Sequence, residues 1–211
     1  DIGVADLSID LTMPTFVPAL CAELGLDDAD CARARESLDR KDAAALGGLG
    51  KRAAGLLSEV LAAAGPVDEA LQRLAAVALD GEAARQRDDL NELVGLIRAA
   101  RPDLTLTVDP GEYRGFEYQT GVSFTLFARG VRGELGRGGR YRLENGEPAT
   151  GATIYLDSVL RALAVPEPGA SGFLPFGTPT EEGRRLRADG WRTVAGLVAV
   201  PIDKDLTDRE I

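Results

Sequence analysis

The apolar positions along this chain change period twice, and those changes divide it. Asp6 to Leu11 reads Asp-Leu-Ser-Ile-Asp-Leu, the two-residue alternation of a half-buried strand. From Pro14 the period lengthens, and Phe16, Val17, Leu20 and Leu24 fall on one helical face. A second helix is predicted from about Asp28, where aspartates suit the positive end of the helix dipole. Residues 42–64 keep helical spacing in an alanine- and leucine-rich stretch, with Gly47, Gly48 and Gly50 marking a turn or break. Pro66 fits the first position of the next helix, with Val67, Ala70, Leu71 and Leu74 turned inward. A further helix is expected from about Glu82 to Ala100, its apolar side formed by Leu90, Val94, Leu96 and Ile97. The block 14–100 thus reads as almost wholly helical.

Past Pro102 the alternation returns. Leu104, Leu106 and Val108 interleave with polar residues as a strand, and Glu112–Tyr118 and Val122–Arg129 read as two more. Gly130, Gly133 and the run Gly136–Gly139 read as tight connections, and Thr150–Tyr155 as a short strand feeding a helix from Leu156 to Leu163. Neighbouring strands of this kind predict an antiparallel sheet and an α+β fold. Residues 165–180 read as a Pro/Gly-rich loop, before a short helix (Glu181–Asp189) and an apolar strand (Thr193–Val200).

Composition narrows the chemistry. With 211 residues, 45% apolar and 27% charged, the chain fits one large or two small folded domains. It has no histidine, which removes Ser-His-Asp and Cys-His nucleophile systems and most zinc sites as intrachain options. A net charge of −10 argues against tRNA binding, because that affinity rests on cations displacing phosphate counterions. The cluster Arg184, Arg185, Arg187 reads as a solvated helix face. Cys21 and Cys31 fit neither a CxxC motif nor a metal-ligand set and read as small buried side chains, and so few cysteines suit the cytoplasm. No apolar run approaches the roughly 20 residues that span a bilayer. The chain opens on Asp1 without an initiator methionine, which reads as a fragment of a longer protein.

Two segments carry candidate chemistry. On a strand, residues two apart share a face, so Arg114, Phe116 and Tyr118 point one way and Gly115, Glu117 and Gln119 the other. Arg114 and Tyr118 could grip a carboxylate and an aromatic or polar group; a solvated arginine beside a core-edge tyrosine satisfies the same pattern. Gly136-Arg-Gly-Gly-Arg-Tyr141 contains neither GxGxxG nor a Walker pattern. Its Arg137 and Arg140, on a glycine-rich loop, either meet an anion or are exposed turn residues.

Together, Arg114–Phe124, Gly138–Tyr141 and Gly151–Leu160 resemble, in order and spacing, the two signature segments of histidyl-tRNA synthetases followed by the third motif of class II synthetases. The helical block 14–100 sits where that family carries a helical insertion. The departures are specific. Tyr155 stands where the motif has the glycine that leaves room for the nucleotide, and Ser158 where it has the arginine that holds ATP phosphate. Arg161 follows Ser158 by three residues, one turn too deep to replace that arginine. Arg142 replaces the aspartate after Gly-Arg-Tyr, and Gln119 the second of a tyrosine pair. Loss of a charge-neutralising group typically costs such chemistry several kcal/mol, so adenylation is not expected.

This pattern resembles the regulatory subunits of short-form ATP phosphoribosyltransferase, a synthetase-like family without aminoacylation activity. The stretches Leu7–Leu20 and Leu186–Val194 are similar to it as well. The resemblance implies a partial class II synthetase sheet from residues 1–13 and 101–165 lacking motifs 1 and 2. It also implies a helical insertion over 14–100, and a loop with a short C-terminal βα tail over 166–211. It implies a non-catalytic, cytoplasmic subunit that self-associates as a dimer and pairs with the short catalytic subunit, with no cofactor, metal, nucleic acid or membrane. Histidine is the implied ligand, either at the subunit interface or in a remnant amino-acid pocket of Arg114, Glu117, Tyr118, Gln119, Arg140 and Tyr141. A fragment of a histidyl-tRNA synthetase, or another synthetase paralogue with a binding role, is the alternative.

Overall fold

The computed structural model describes residues 3–112, 119–164 and 169–199. It divides into two compact units, Asp1–Leu163 and Ala164–Ile211.

The first unit is a six-stranded sheet with helices on one face. Its strands are β1 (Leu7–Thr12), β2 (Gly65–Pro66), β3 (Thr105–Asp109), β4 (Gln119–Ala128), β5 (Gly136–Arg142) and β6 (Pro148–Ile154), in the order β2-β3-β1-β4-β5-β6. The helices are α1 (Phe16–Leu24), α2 (Asp28–Asp39), α3 (Lys51–Ala62), α4 (Val67–Ala76), α5 (Gly81–Ala100) and α6 (Leu156–Ala162), with a 3-10 turn at Ala45–Leu49.

Local chemistry sets the helix ends. Asp27 caps α2 by accepting the Asp30 N–H at 2.8 Å. Gly25 ends α1 with a left-handed φ of 67°, a conformation that costs glycine little. Helix α4 carries Asp68 and Glu69 in its first turn and Arg73 in its last, matching its dipole.

Alternation along the strands sorts the sheet into two faces. Leu11, Leu106 and Val108, with the partly buried Leu7, Ile9 and Phe124, join Phe16, Leu20, Leu57, Val67, Leu74 and Leu90 in one core. The opposite face is polar. Thr12 and Ser123 are cross-strand partners whose hydroxyls lie 2.6 Å apart, and Thr107 donates to Asp10 at 2.6 Å.

Four sequence expectations need correction or refinement. First, the sheet is mostly antiparallel as expected, but one pair, β1 and β3, runs parallel. The helical block between Thr12 and Thr105 is the long crossover that parallel pairing requires. Second, Pro66 precedes α4 as an extended residue (φ −53°, ψ 137°) paired with Thr107; its fixed φ suits that short edge strand as well as a helix start. Third, Gly136–Arg142 is strand β5, paired on both sides, rather than a connection. Fourth, Leu96 is 62% exposed rather than inward, although Leu90 and Val94 are buried as expected. The strand expected over Glu112–Tyr118 falls largely outside the described residues.

The two cysteines sit on adjacent helices, Cys21 buried on α1 and Cys31 half-buried on α2. Burial, reinforced by the neighbouring Cys31 thiol, pushes the Cys21 pKa up to about 12. An unfolded cysteine titrates near 8.5, so its folded-state proton is held over the interval between and Cys21 adds stability that is lost as pH rises through that interval. Cys21 should therefore resist iodoacetamide in the native chain at pH 8 and react only after denaturation, as peptide mass mapping would read. Rapid native alkylation of Cys21 would contradict its burial.

The second unit is a βαβ unit: β7 (Ser171–Leu174) lies parallel to β8 (Arg192–Ala195), with α7 (Thr180–Ala188) between them in sequence. β7 lies inside the stretch expected to be loop. Arg184 pairs with Glu181 at 2.9 Å, and Arg187 donates to Thr193 at 2.8 Å, so these two arginines of the cluster are engaged locally. Among the described residues, no helix is long and apolar enough to cross a membrane.

Candidate functional site

The polar face of β4, β5 and β6 forms a shallow cavity of about 280 Å³, lined by Gln119, Arg137, Gly138, Gly139, Tyr141, Gly151, Ala152 and Thr153. Its floor depends on glycine. A Cβ on Gly138 would lie 2.3 Å from the Gly151 carbonyl oxygen, and one on Gly139 would lie 2.8 Å from the Ser123 Cβ. Strand β4 is irregular between Gln119 and Ser123, where its register against β5 shifts. Gln119 is nevertheless buried and opposite Tyr141.

Register brings a cation to the corner where strand β6 enters α6. Arg137 pairs with Thr153, two residues before Tyr155, and its guanidinium lies 5.9 Å from the Tyr155 ring centroid. Arg137 also lies 3.6 Å from the Glu134 carboxylate. Ser158 is buried one helical turn on and accepts a hydrogen bond from Arg161 at 2.9 Å. The same Arg161 pairs with Asp157 at 3.1 Å. The two arginines near this corner therefore already face local partners.

The structure brings together some of the residues expected to bind a ligand and separates others. Gln119 and Tyr141 share the cavity. Arg140, between Gly139 and Tyr141 on β5, emerges on the helix-covered side and lines a different groove with α5. The alternation of a strand imposes this separation. Arg114, Glu117 and Tyr118 lie outside the described residues. Arg137 is the site residue that the expected ligand set omits, because its place follows from the β5–β6 register rather than from its neighbours in sequence. Thr12, Ser123 and Thr125 line an adjoining small cavity with Glu112 and Gln119; their polar alternation along β1 and β4 was the readable signal. Among the described residues, no three His, Cys, Asp or Glu side chains gather to hold a metal.

Chemically, the cavity offers an amide, a phenol and an engaged guanidinium, which suits binding a small polar molecule. Tyr155 stands at the corner beside Ser158, and the two described arginines near it, Arg137 and Arg161, have local partners.

Comparison with known proteins places this geometry. A family model described as histidyl-tRNA synthetase matches residues 1–159. A protein of Rhodospirillum centenum named ATP phosphoribosyltransferase regulatory subunit is 53% identical over 197 residues, covering 93% of this chain and 51% of that protein. The chain spans about half the length of the curated relatives it matches. Among solved structures, an ATP phosphoribosyltransferase regulatory subunit/histidyl-tRNA synthetase from Bacillus halodurans superposes with a TM-score of 0.78 at 18% identity, over 97% of this chain and 57% of that one. A chain of the ATP phosphoribosyl transferase (HisG:HisZ) complex from Thermotoga maritima gives 0.56 at 18% identity, over 72% and 54%. These superpositions establish the mixed α+β fold of the histidyl-tRNA-synthetase type.

Proposed function

We propose, from the premise that this chain belongs to the histidyl-tRNA synthetase family, that it serves as a non-catalytic regulatory subunit of ATP phosphoribosyltransferase, required for that enzyme's activity and for histidine feedback. The observation that carries this reading is the corner at Tyr155 and Ser158. Nucleotidyl transfer needs room for the nucleotide and a cation free to meet its phosphates. Tyr155 occupies the room and sits under Arg137. Ser158 stands where the cation belongs, and Arg161 is held by Ser158 and Asp157. The names of the curated relatives agree with this reading.

Regulation then works by linkage. A ligand or partner that binds two assembly states unequally, typically by about 1–3 kcal/mol, shifts activity without chemistry of its own. Gln119 and Tyr141 form one side of the proposed amino-acid pocket, to which the family resemblance also assigns Arg114, Glu117 and Tyr118, outside the described residues; histidine is its proposed ligand. The subunit works in the cytoplasm as a self-associating partner of the short catalytic subunit. Its charge of −10 speaks against nucleic acid as a ligand. A histidyl-tRNA synthetase activity is disfavoured by the same corner.

Two assays test this reading. Mixed with a purified short catalytic subunit, the protein should raise ATP phosphoribosyltransferase activity and confer inhibition by histidine. Alone, it should catalyse no histidine-dependent ATP–pyrophosphate exchange. Robust exchange, or failure to stimulate the catalytic subunit, would sink the proposal.

A further inference from the structure

Only Gly25, Leu26 and Asp27 join α1 to α2. Hydrogen bonds fix this turn. The Gly25 and Leu26 N–H groups return to the Ala22 and Cys21 carbonyls at 3.2 and 3.0 Å, and Asp27 caps α2. The Cys31 N–H donates to the Asp27 carbonyl at 2.8 Å. Cys21 lies three residues before the end of α1, and Cys31 three residues after the start of α2. The backbones of both cysteines are therefore tied to one short turn, at matching distances from its vertex.

The side chains meet there. Cys21 is 3% exposed in the core, Cys31 packs half-buried against that core, and the two thiols are hydrogen-bonding neighbours. Helices in contact lie about 8–10 Å apart axis to axis, which leaves facing Cα atoms roughly 3.5–5.5 Å apart once each helix radius of about 2.3 Å is subtracted. A disulfide joins Cα atoms about 4.4–6.8 Å apart, so a bond across this turn lies within reach of the two side chains. The thiols differ in access. Cys31 is partly open to solvent, whereas burial holds the Cys21 proton. Arg35, one turn beyond Cys31 on α2, adds a positive charge that favours a thiolate here. The chain has no other cysteine, so no third thiol competes.

We propose that Cys21 and Cys31 form an oxidisable dithiol, a modification site that a hydroperoxide closes into an intramolecular disulfide between α1 and α2. The Cys31 thiolate attacks the peroxide. With hydrogen peroxide, an S–O bond forms as the O–O bond breaks, leaving a sulfenic acid on Cys31 and, with the thiol's proton, one water. The Cys21 sulfur then attacks the Cys31 sulfur. The S–S bond forms, the S–O bond breaks, and the hydroxyl leaves with the Cys21 proton as a second water. The two thiols give up two electrons in all, and those electrons reduce the peroxide. A thiol reductant reverses the change by exchange. The bond would staple α2 to the helix that follows β1, close to Thr12 and Pro14 at the polar cavity. This modification goes beyond the regulatory reading and stands or falls without it.

The test treats the intact protein, shown to be folded by circular dichroism, with hydrogen peroxide. Catalase then removes the peroxide, remaining thiols are alkylated in denaturant, and the peptides are mapped without reduction. A cross-linked pair of peptides holding Cys21 and Cys31, with the loss of both thiol hydrogens, is the expected product. It should form at a rate independent of protein concentration and revert with dithiothreitol. Cys21→Ser should stop at the sulfenic acid of Cys31, captured by dimedone. Cys31→Ser should slow peroxide consumption by the protein roughly tenfold or more, because the remaining thiol is buried. Should a variant fail to fold, the map of the unsubstituted protein decides alone. Cys31 carried to sulfinic or sulfonic acid without a disulfide overturns the proposal. So does a cross-link between two chains, or a native protein whose two thiols both survive the peroxide unmodified.

Discussion

Replacing Gly138 with alanine should destabilise the first unit by about 3 kcal/mol, the upper part of the usual range for overpacking a filled site. The added methyl would meet the Gly151 carbonyl oxygen at 2.3 Å, the Phe124 Cζ at 2.7 Å and the Ala152 Cα at 2.9 Å. Two of those three atoms belong to the backbone of β6, so no rotamer change relieves the clash, and the strands must separate. Gly146 supplies the comparison. It has a φ of 82° and open space around it, so alanine there costs only the left-handed backbone penalty of roughly 1–2 kcal/mol. Urea denaturation would read both as shifts in midpoint. Equal midpoints for Gly138→Ala and the unsubstituted protein would mean that β5 and β6 do not pack as closely as described. The same substitution should also deform the cavity that holds Gln119 and Tyr141, because Gly138 forms part of its lining.

This glycine also shows where sequence reading stops. A run such as Gly136-Arg-Gly-Gly reads as a connection because glycine is weak in strands and common in turns. Here the glycines are dictated by the nearness of Phe124, Thr153 and Gly151, residues on two other strands. That proximity is tertiary information. The parallel pairing of β1 with β3 is of the same kind, since nothing in either strand's alternation states the direction of its neighbour. By contrast, the starts of the first helices are legible, because the period of Phe16, Val17 and Leu20 and the aspartates at the start of α2 are local signals.

The candidate site divides along the same line. Tyr155 and Ser158 could be picked out because the segment around them resembles a motif in which each position has a known physical task. Arg137 stands out in the sequence only as a possible anion contact; its place beside Tyr155 is not legible there, because it arises through the register that sets Arg137 opposite Thr153. The resemblance to a Gly-Gly-Arg-Tyr signature groups Arg140 with Tyr141, in a segment whose glycines read as a loop. Read as a strand, the same residues send 139 and 141 to one face and 140 to the other. Most of what the sequence left open thus follows from one structural fact, that β5 is a strand between two others.

The other large effect is expected at Phe16, where alanine should cost about 3–5 kcal/mol. Phe16 is fully buried at the first turn of α1, in the core that also holds Met13 and Leu20. Thr15, just before it, makes no side-chain capping bond, so burial of the phenyl ring rather than a cap fixes where α1 begins. Phe16→Ala therefore leaves a cavity and also releases the start of the helix. A domain of this size typically loses about 2–4 °C of melting temperature per kcal/mol, so a fall of roughly 6–20 °C is expected by calorimetry or circular dichroism. Phe16→Leu, which keeps most of the apolar volume, should lose less than half as much. The damage should also reach the polar face. Thr12 lies four residues upstream, on the strand that leads into α1, and its hydroxyl contacts Ser123 across β1 and β4. Loosening Phe16 should therefore weaken protection of the β1 and β4 amides in hydrogen exchange, while β7 and β8, in the separate second unit, stay unchanged. A melting temperature within 2 °C of the unsubstituted protein would place the centre of the core elsewhere than around Phe16.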